Sequence, residues 1–182
     1  MAIDSAPSRI VEIAPEDYSP DQKAAVDALL DGRGRLLTPY RVWLHSPILA
    51  QAMERLGTFL NNTSSLSERE VELGIVLIAH HWAGEYVQAA HVRRCLQLGW
   101  PQSVMDAIRE DKTPAFDNPR DGSIYEVAQI SQQPGPGSDK VFDRAVANLG
   151  LNGLAELIAL FGYYSAVAIA MKLHRVPVPA AS

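Results

Sequence analysis

The feature of this sequence that most constrains its fold is a long apolar segment near the C-terminus. Asn152 precedes the string GLAELIALFGYYSAVAIAMKLH, which is apolar on nearly all sides of a helix. Its longest uncharged stretch, Leu157 to Met171, covers fifteen residues, fewer than the roughly 20 that a helix needs to cross a bilayer. The pattern predicts a helix that is capped by Asn152 and buried in the core or in a subunit interface.

Start signals for helices recur along the rest of the chain. Ser19 and Ser46 each stand as a capping serine before a proline at the first helical position. Ser67 and Glu70 have the spacing of a capping box, in which each side chain bonds the other residue's backbone N–H. No segment shows convincing β-alternation or a short-period repeat, so the sequence predicts an all-α protein.

Glycine and proline mark the helix ends in the second half of the chain. Gly84 interrupts a helical run and predicts a new helix from Glu85 to Leu98. Loops rich in proline and glycine are predicted at residues 113–122 and 133–138, with a short helix around Ile124 to Gln132 between them.

The chain is predicted to consist of a single domain with two short extensions. Residues 1–19 show little periodicity and are predicted to form an arm that wraps over the body or over a neighbouring subunit. Residues 20–176 form the predicted helical domain, and residues 177–182 form a C-terminal tail.

The composition excludes several classes of protein. With 182 residues, 47% of them apolar, and a net charge of −5, the chain is typical of a soluble globular domain. It lacks the basic stripe of a nucleic-acid-binding surface, and its acidic N-terminus lacks the apolar run of a signal peptide. We expect a cytoplasmic protein that binds neither nucleic acid nor a membrane.

The single cysteine, Cys95, restricts the thiol chemistry. It excludes an intramolecular disulfide, a C-x-x-C redox pair and a zinc site built on several thiolates, and it suits a reducing compartment. Cys95 falls near the C-terminal end of its predicted helix, where the helix dipole disfavours a thiolate. A buried structural thiol is therefore favoured over a nucleophile.

The region from Ser67 to Leu98 holds three of the five histidines. His80, His81 and Glu85 are possible metal ligands, but the pattern H-H-x-x-x-E lacks the order of the zinc motif H-E-x-x-H. Adjacent histidines on a helix diverge by about 100°, so they rarely bind one ion. We therefore expect no metal, with one of the adjacent histidines hydrogen-bonded in the core and the other solvated.

The same region carries a family resemblance. The string LSEREVELGIVLIAHHWAGEYVQAAHVRRCLQLGWPQSVMDAI resembles the core of the carboxymuconolactone decarboxylase family, which includes the alkylhydroperoxidase D-like proteins. In that family a capped helix carries a glutamate, a C-x-x-C motif opens the next helix, and a histidine follows four residues later. These positions fall on Glu72, Gly84, Val87 and His91. The resemblance, over roughly residues 36 to 178, implies an alkylhydroperoxidase D-like helical bundle that associates as a trimer or hexamer.

The resemblance also implies a type of chemistry. Peroxide reduction in this family needs an attacking thiolate and a resolving thiol, and both thiol positions are non-nucleophilic here. The similarity therefore points to the cysteine-free branch, whose type activity is decarboxylation of a γ-carboxymuconolactone in aromatic catabolism. It implies a lyase, without a cofactor, that acts on a carboxylated lactone or related small organic acid by acid/base proton transfer.

Within that reading, His91 is the candidate acid/base, because histidine gives and takes protons at neutral pH. Glu72 is expected to orient His91 or to relay its proton. Other candidates are Tyr86 and Glu85 as a hydrogen-bond donor or second acid, Arg93, Arg94 and Arg41 for a substrate carboxylate, and Trp43, Phe59, Trp82, Tyr163 and Tyr164 as a pocket lining.

Two other functions stay open at this point. One is a peroxidase-related protein with a degenerate redox site that acts through Cys95 alone. The other is a non-catalytic helical oligomer that kept the core and lost the chemistry.

Overall fold

The computed structural model describes residues 7–178, and over that range the chain is helical, with no strand. After a single 3-10 turn at Pro15–Asp17, the helices are α1 (Pro20–Arg33), α2 (Thr38–Trp43), α3 (Pro47–Asn62), α4 (Glu68–His81), α5 (Glu85–Gln97), α6 (Gln102–Arg109), α7 (Pro119–Ser131) and α8 (Asp139–Leu173). The all-α prediction is confirmed. The parts of the predicted arm and tail at residues 1–6 and 179–182 lie outside the described residues.

Helix α8 is central, as its apolar sequence predicts, and it packs against α2, α3, α4, α5 and α7. It begins at Asp139, where the side chain of Ser138 accepts a hydrogen bond from the backbone N–H of Val141. Asn152 is not its cap, and instead donates from its amide to Glu156 Oε1. A kink at Gly150, whose φ of 74° and ψ of 166° are not helical, divides α8 just before Asn152.

Length and composition alone would allow α8 to cross a membrane. In the apolar window that satisfies this test, 56% is buried inside the protein. That degree of burial is typical of a core helix, which passes the same test.

Helix α4 is the second central element, and its residues from Glu70 to Ala79 are all buried. The predicted capping box is present at its start. Ser67 Oγ accepts a hydrogen bond from the backbone N–H of Glu70, and Glu70 Oε2 accepts one from the backbone N–H of Ser67 at 2.8 Å. The cap therefore fixes the first turn of a helix that packs against α3, α5, α6, α7 and α8.

Two helix starts differ from the sequence prediction. Helix α7 begins at Pro119, inside the predicted loop, because Asn118 Oδ1 accepts from the backbone N–H of Arg120 at 2.9 Å. Helix α2 was not predicted, since it is only six residues long. At Ser46 the predicted capping bond is absent, although α3 does begin at Pro47.

The described part of the predicted arm lies along the body of its own chain. The backbone N–H of Arg9 donates to the carbonyl of His174 at 2.7 Å, and the carbonyl of Val11 lies 2.8 Å from His45 Nε2. Ile13 packs against the core. This segment thus joins the end of α8 to the loop after α2.

Candidate active site

A cavity of about 560 Å³ lies between α2, α3, α5 and α8. Its lining combines aromatic and apolar side chains with a few polar groups, which is typical of a small-molecule site. The lining residues are Arg35, Leu36, Leu37, Thr38, Pro39, Tyr40, Arg41, Asn61, Tyr86, Val87, Ala90, His91, Tyr163, Tyr164 and Val167.

His91 lines the cavity and forms a hydrogen-bonded pair with Glu72, which is not itself part of the lining. Glu72 comes from the buried helix α4 and His91 from α5, and His91 Nδ1 lies 2.7 Å from Glu72 Oε2. The glutamate side chain is 10% exposed and that of the histidine is 23% exposed. The structure therefore places together the two residues that the resemblance assigns as acid/base and orienting group.

The pairing determines what His91 can do. An ionised carboxylate only accepts hydrogen bonds, so the contact assigns a hydrogen to Nδ1, which donates it to Glu72. His91 Nε2 has no hydrogen-bonding partner within residues 7–178. In the neutral ring this atom has a free lone pair, and in the protonated ring it is a donor. The pair of His91 and Glu72, called the dyad below, can therefore take or give a proton at His91 Nε2.

An aromatic residue of the cavity lining also contacts the ring of His91. The ring of Tyr164 meets that of His91 edge to face, with centroids 5.4 Å apart and an interplanar angle of 81°. The Tyr164 hydroxyl donates to Asn61 Oδ1 at 3.0 Å. Tyr163 packs against Tyr164, and its hydroxyl lies 3.1 Å from that of Tyr40. These contacts restrict the rotation of the imidazole.

The mouth of the cavity carries two arginines and a tyrosine. The Tyr86 hydroxyl donates to Thr38 Oγ1 at 3.0 Å, and both residues line the cavity. Arg41 Nη1 pairs with Glu12 Oε1 at 3.0 Å. Arg35 is exposed and has no ion-pair or hydrogen-bond partner in the described part of the chain. The polar groups here can bind an oxygen-rich ligand.

Sequence reasoning missed several of these residues. Arg35, Thr38, Tyr40 and Asn61 are far from His91 in the chain and reach the cavity only through the packing of α2 and α3 against α8. No motif marks them. The one local signal is the Thr38-Pro39 start of the short helix α2.

Besides Glu72, six predicted site residues do not line this cavity, and two of them are the aromatic candidates Trp43 and Phe59. Trp82 donates from its indole N–H to Ser165 Oγ at 2.8 Å, in a different surface depression. Glu85 is exposed at the first turn of α5 and lines other depressions. Arg93 is exposed on α5 two residues after His91, on the far side of the helix. Arg94 pairs with Glu68.

The two residues at the thiol positions of the family motif, Gly84 and Val87, are both buried. Gly84 is buried at the start of α5, and Val87 is 2% exposed and faces the cavity. Cys95 is fully buried in the core. Burial, and to a lesser degree the charge of Glu72, raises the pKa of the Cys95 thiol to about 12. Its thiolate is therefore scarce at neutral pH.

The adjacent histidines differ in environment, but His80 is hydrogen-bonded at the surface and not in the core as expected, since its side chain is 26% exposed. His80 Nε2 lies 2.8 Å from Asp111 Oδ1, and its Nδ1 lies 3.3 Å from the amide of Gln88. His81 is exposed, and its ring contacts that of Trp82. Within residues 7–178 no group of three or more His, Cys, Asp or Glu side chains is placed to hold a metal ion.

Comparisons with known proteins support the fold. No family model matches this sequence, and a search of curated proteins also finds no match. Among solved structures, a cysteine-to-alanine variant of the debrominase Bmp8 in complex with 2,3,4-tribromopyrrole matches with a TM-score of 0.70 and 15% identity, over 97% of this chain and 95% of that one. The apo form of Bmp8 matches at 0.66 and 13%, over 94% and 92%.

The chain has the same helical fold as Bmp8. The helical bundle and single domain predicted from the sequence are thus confirmed. At 15% identity the likeness extends to the fold and not to the activity. Membership of the carboxymuconolactone decarboxylase family stays a prediction.

Proposed function

We propose that this protein is an enzyme that transfers a proton to or from a small cyclic organic acid, with His91 as the acid/base and without a cofactor. The observation that carries the proposal is the 2.7 Å contact between His91 Nδ1 and Glu72 Oε2 at the wall of a 560 Å³ cavity. A cavity of that size suits a molecule of one or two rings.

The finer proposal is decarboxylation of a carboxylated lactone. The C–C bond to the leaving carboxylate breaks and carbon dioxide leaves. The electron pair of that bond is delocalised onto the lactone carbonyl, which becomes an enolate. The Nε2–H of protonated His91 then delivers its proton to the enolate carbon, while Glu72 stabilises the imidazolium before transfer. Arg35 and Arg41 hold oxygens of the substrate at the cavity mouth, away from the reacting carbon.

The experiment is turnover of a panel of carboxylated lactones and related cyclic acids by the wild type and His91→Asn. We expect His91→Asn to lower kcat by about 10²- to 10⁴-fold, the usual contribution of a general acid or base. His81→Asn is the matched control, because His81 is exposed and outside the cavity. Equal turnover by wild type and His91→Asn would contradict the proposal and favour a non-catalytic helical protein.

Self-association is a separate proposal that rests on exposed apolar residues of α8. Leu151, Ile158 and Leu173 are 67%, 57% and 63% exposed in the isolated chain. Burial of such a surface between copies would remove apolar area from water. We expect a trimer or hexamer by sedimentation equilibrium, and a mass of 19.9 kDa, that of one chain, would refute it.

A further inference from the structure

A carboxylate of the protein itself already lies at the mouth of the cavity. Arg41 lines the cavity, and its Nη1 atom pairs with Glu12 Oε1 at 3.0 Å. Glu12 belongs to the N-terminal segment and is 29 positions away from Arg41 in the chain. The guanidinium that faces the cavity is thus shared with a group outside it.

The N-terminal segment holds Glu12 in this position. Its neighbour Val11 is anchored by the contact of its carbonyl with His45 Nε2 at 2.8 Å, and Ile13 packs against the core. Arg9 is anchored in turn on the end of α8, through its backbone N–H. Because both flanking residues are fixed, the carboxylate of Glu12 stays near Arg41 at high effective concentration.

We propose that Glu12 is a specificity-determining residue, which competes with a ligand carboxylate for Arg41 and so sets how strongly the cavity prefers anionic over neutral ligands. The inference rests on the proposed function, in which this cavity binds a small cyclic acid. An anionic ligand must displace Glu12 from Arg41, whereas a neutral ligand of the same shape does not.

The exposure of the pair makes the exchange feasible. The side chains of Arg41 and Glu12 are 44% and 61% exposed, and ion pairs with such exposure contribute little free energy. Arg35, at the same mouth, has no partner within the described residues and gives an anion a first contact. A carboxylate that enters the cavity can therefore take Arg41 from Glu12 at little cost.

The test measures binding of benzoate and of benzamide, which differ in charge but hardly in shape, by calorimetry of the full chain. Chemical shifts of the His91 ring locate binding in the cavity. We expect Glu12→Gln to tighten benzoate binding by about two- to fivefold, the range of exposed ion pairs, and to leave benzamide binding unchanged. Glu16→Gln, an exposed acid in the same segment, is the control for loss of one negative charge.

The background variant Arg41→Gln completes the test. In that background Glu12→Gln should no longer change benzoate binding, because no guanidinium remains to be shared. An unchanged ratio of benzoate to benzamide affinity in Glu12→Gln would overturn the role of Glu12. The same holds if the gain persists without Arg41, or if Glu16→Gln gives an equal gain.

The result also separates this inference from the proposed function. If neither probe shifts the His91 ring in any variant, the cavity is not a carboxylate site, and both proposals fail. If benzoate binds and Glu12→Gln has no effect, only the role of Glu12 fails. Turnover by His91 is measured independently of both outcomes.

Discussion

Gly84 and Ala168 are packed so closely that a Cβ atom on residue 84 would lie 2.9 Å from the Cβ of Ala168. Gly84 is the N-cap of α5, so this contact sets the start of α5 against α8. Seven residues later the same helix carries His91. Gly84, which stands at the first thiol position of the family motif, thus allows the close packing that positions His91 next to Glu72.

This contact predicts the effect of adding a side chain at residue 84. We expect Gly84→Ala to lower the free energy of unfolding by about 1–3 kcal/mol, the usual range for overpacking, as measured by urea denaturation. Ala168→Gly should recover part of the loss in the double variant. Gly122→Ala is the control, because nothing lies within 4 Å of its added Cβ. If Gly84→Ala is as stable as Gly122→Ala, the steric account is wrong.

The dyad predicts the tautomer of His91. Because Glu72 accepts from Nδ1–H, the neutral ring should carry its proton on Nδ1, as seen in ¹⁵N chemical shifts. Glu72→Leu removes the acceptor while keeping a side chain that tolerates burial, and the Nε2–H form should increase. Glu85→Leu, on the exposed face of α5, should leave the tautomer as it is. A predominant Nε2–H form in the wild type would contradict the geometry.

Burial of Cys95 predicts that this thiol is inert in the folded protein. Its pKa is raised from 9.0 to about 12, which lowers the thiolate fraction near pH 8 about a thousandfold. Labelling with an aromatic disulfide reagent should therefore be at least that much slower in the native protein than in denaturant. Cys95→Ala should retain turnover of any substrate found. Fast labelling of the native protein would contradict this prediction and favour the peroxidase-related function through Cys95.

A buried ion pair predicts a pH dependence of stability. Burial opposes ionisation of Glu70, but hydrogen bonds from Arg120 and Ser67 outweigh it and lower the pKa of Glu70 below its ordinary value of 4.5. Since the folded-state pKa is the lower one, the ionised carboxylate stabilises the fold above the ordinary value. That stability is lost as the pH falls through the folded-state pKa.

We therefore expect Glu70→Gln to cost about 1–2 kcal/mol at pH 7, at the low end for buried pairs because the Arg120 side chain is 37% exposed. The difference from the wild type should narrow as the pH falls below 4.5, in urea denaturation at a series of pH values. Glu126→Gln, in an exposed pair with Arg144, should change stability little at any pH. A cost at Glu70 that does not depend on pH would contradict the assignment.

Local sequence determined most of the helices, because caps and breakers act within a few residues. Ser19 and Ser67 cap their helices as predicted, and α5 starts next to Gly84. The errors arose where a distant partner contributes. Helix α7 begins early at Pro119, and Arg120 in its first turn hydrogen-bonds to Glu70 of α4. Helix α2 is short, and buries Tyr40 and Trp43 against the body.

The sequence by itself also predicted that Glu72 and His91 act as a pair within a helical bundle, because the family resemblance that implies this pair lies in one continuous string. Only the tertiary structure decided which other side chains share the cavity. Arg35, Asn61 and Tyr164 are brought to His91 by the packing of separate helices, while Arg93 on the same helix is turned away by the helical period. A site formed by contacts between distant segments leaves no local pattern, so its lining follows from the fold.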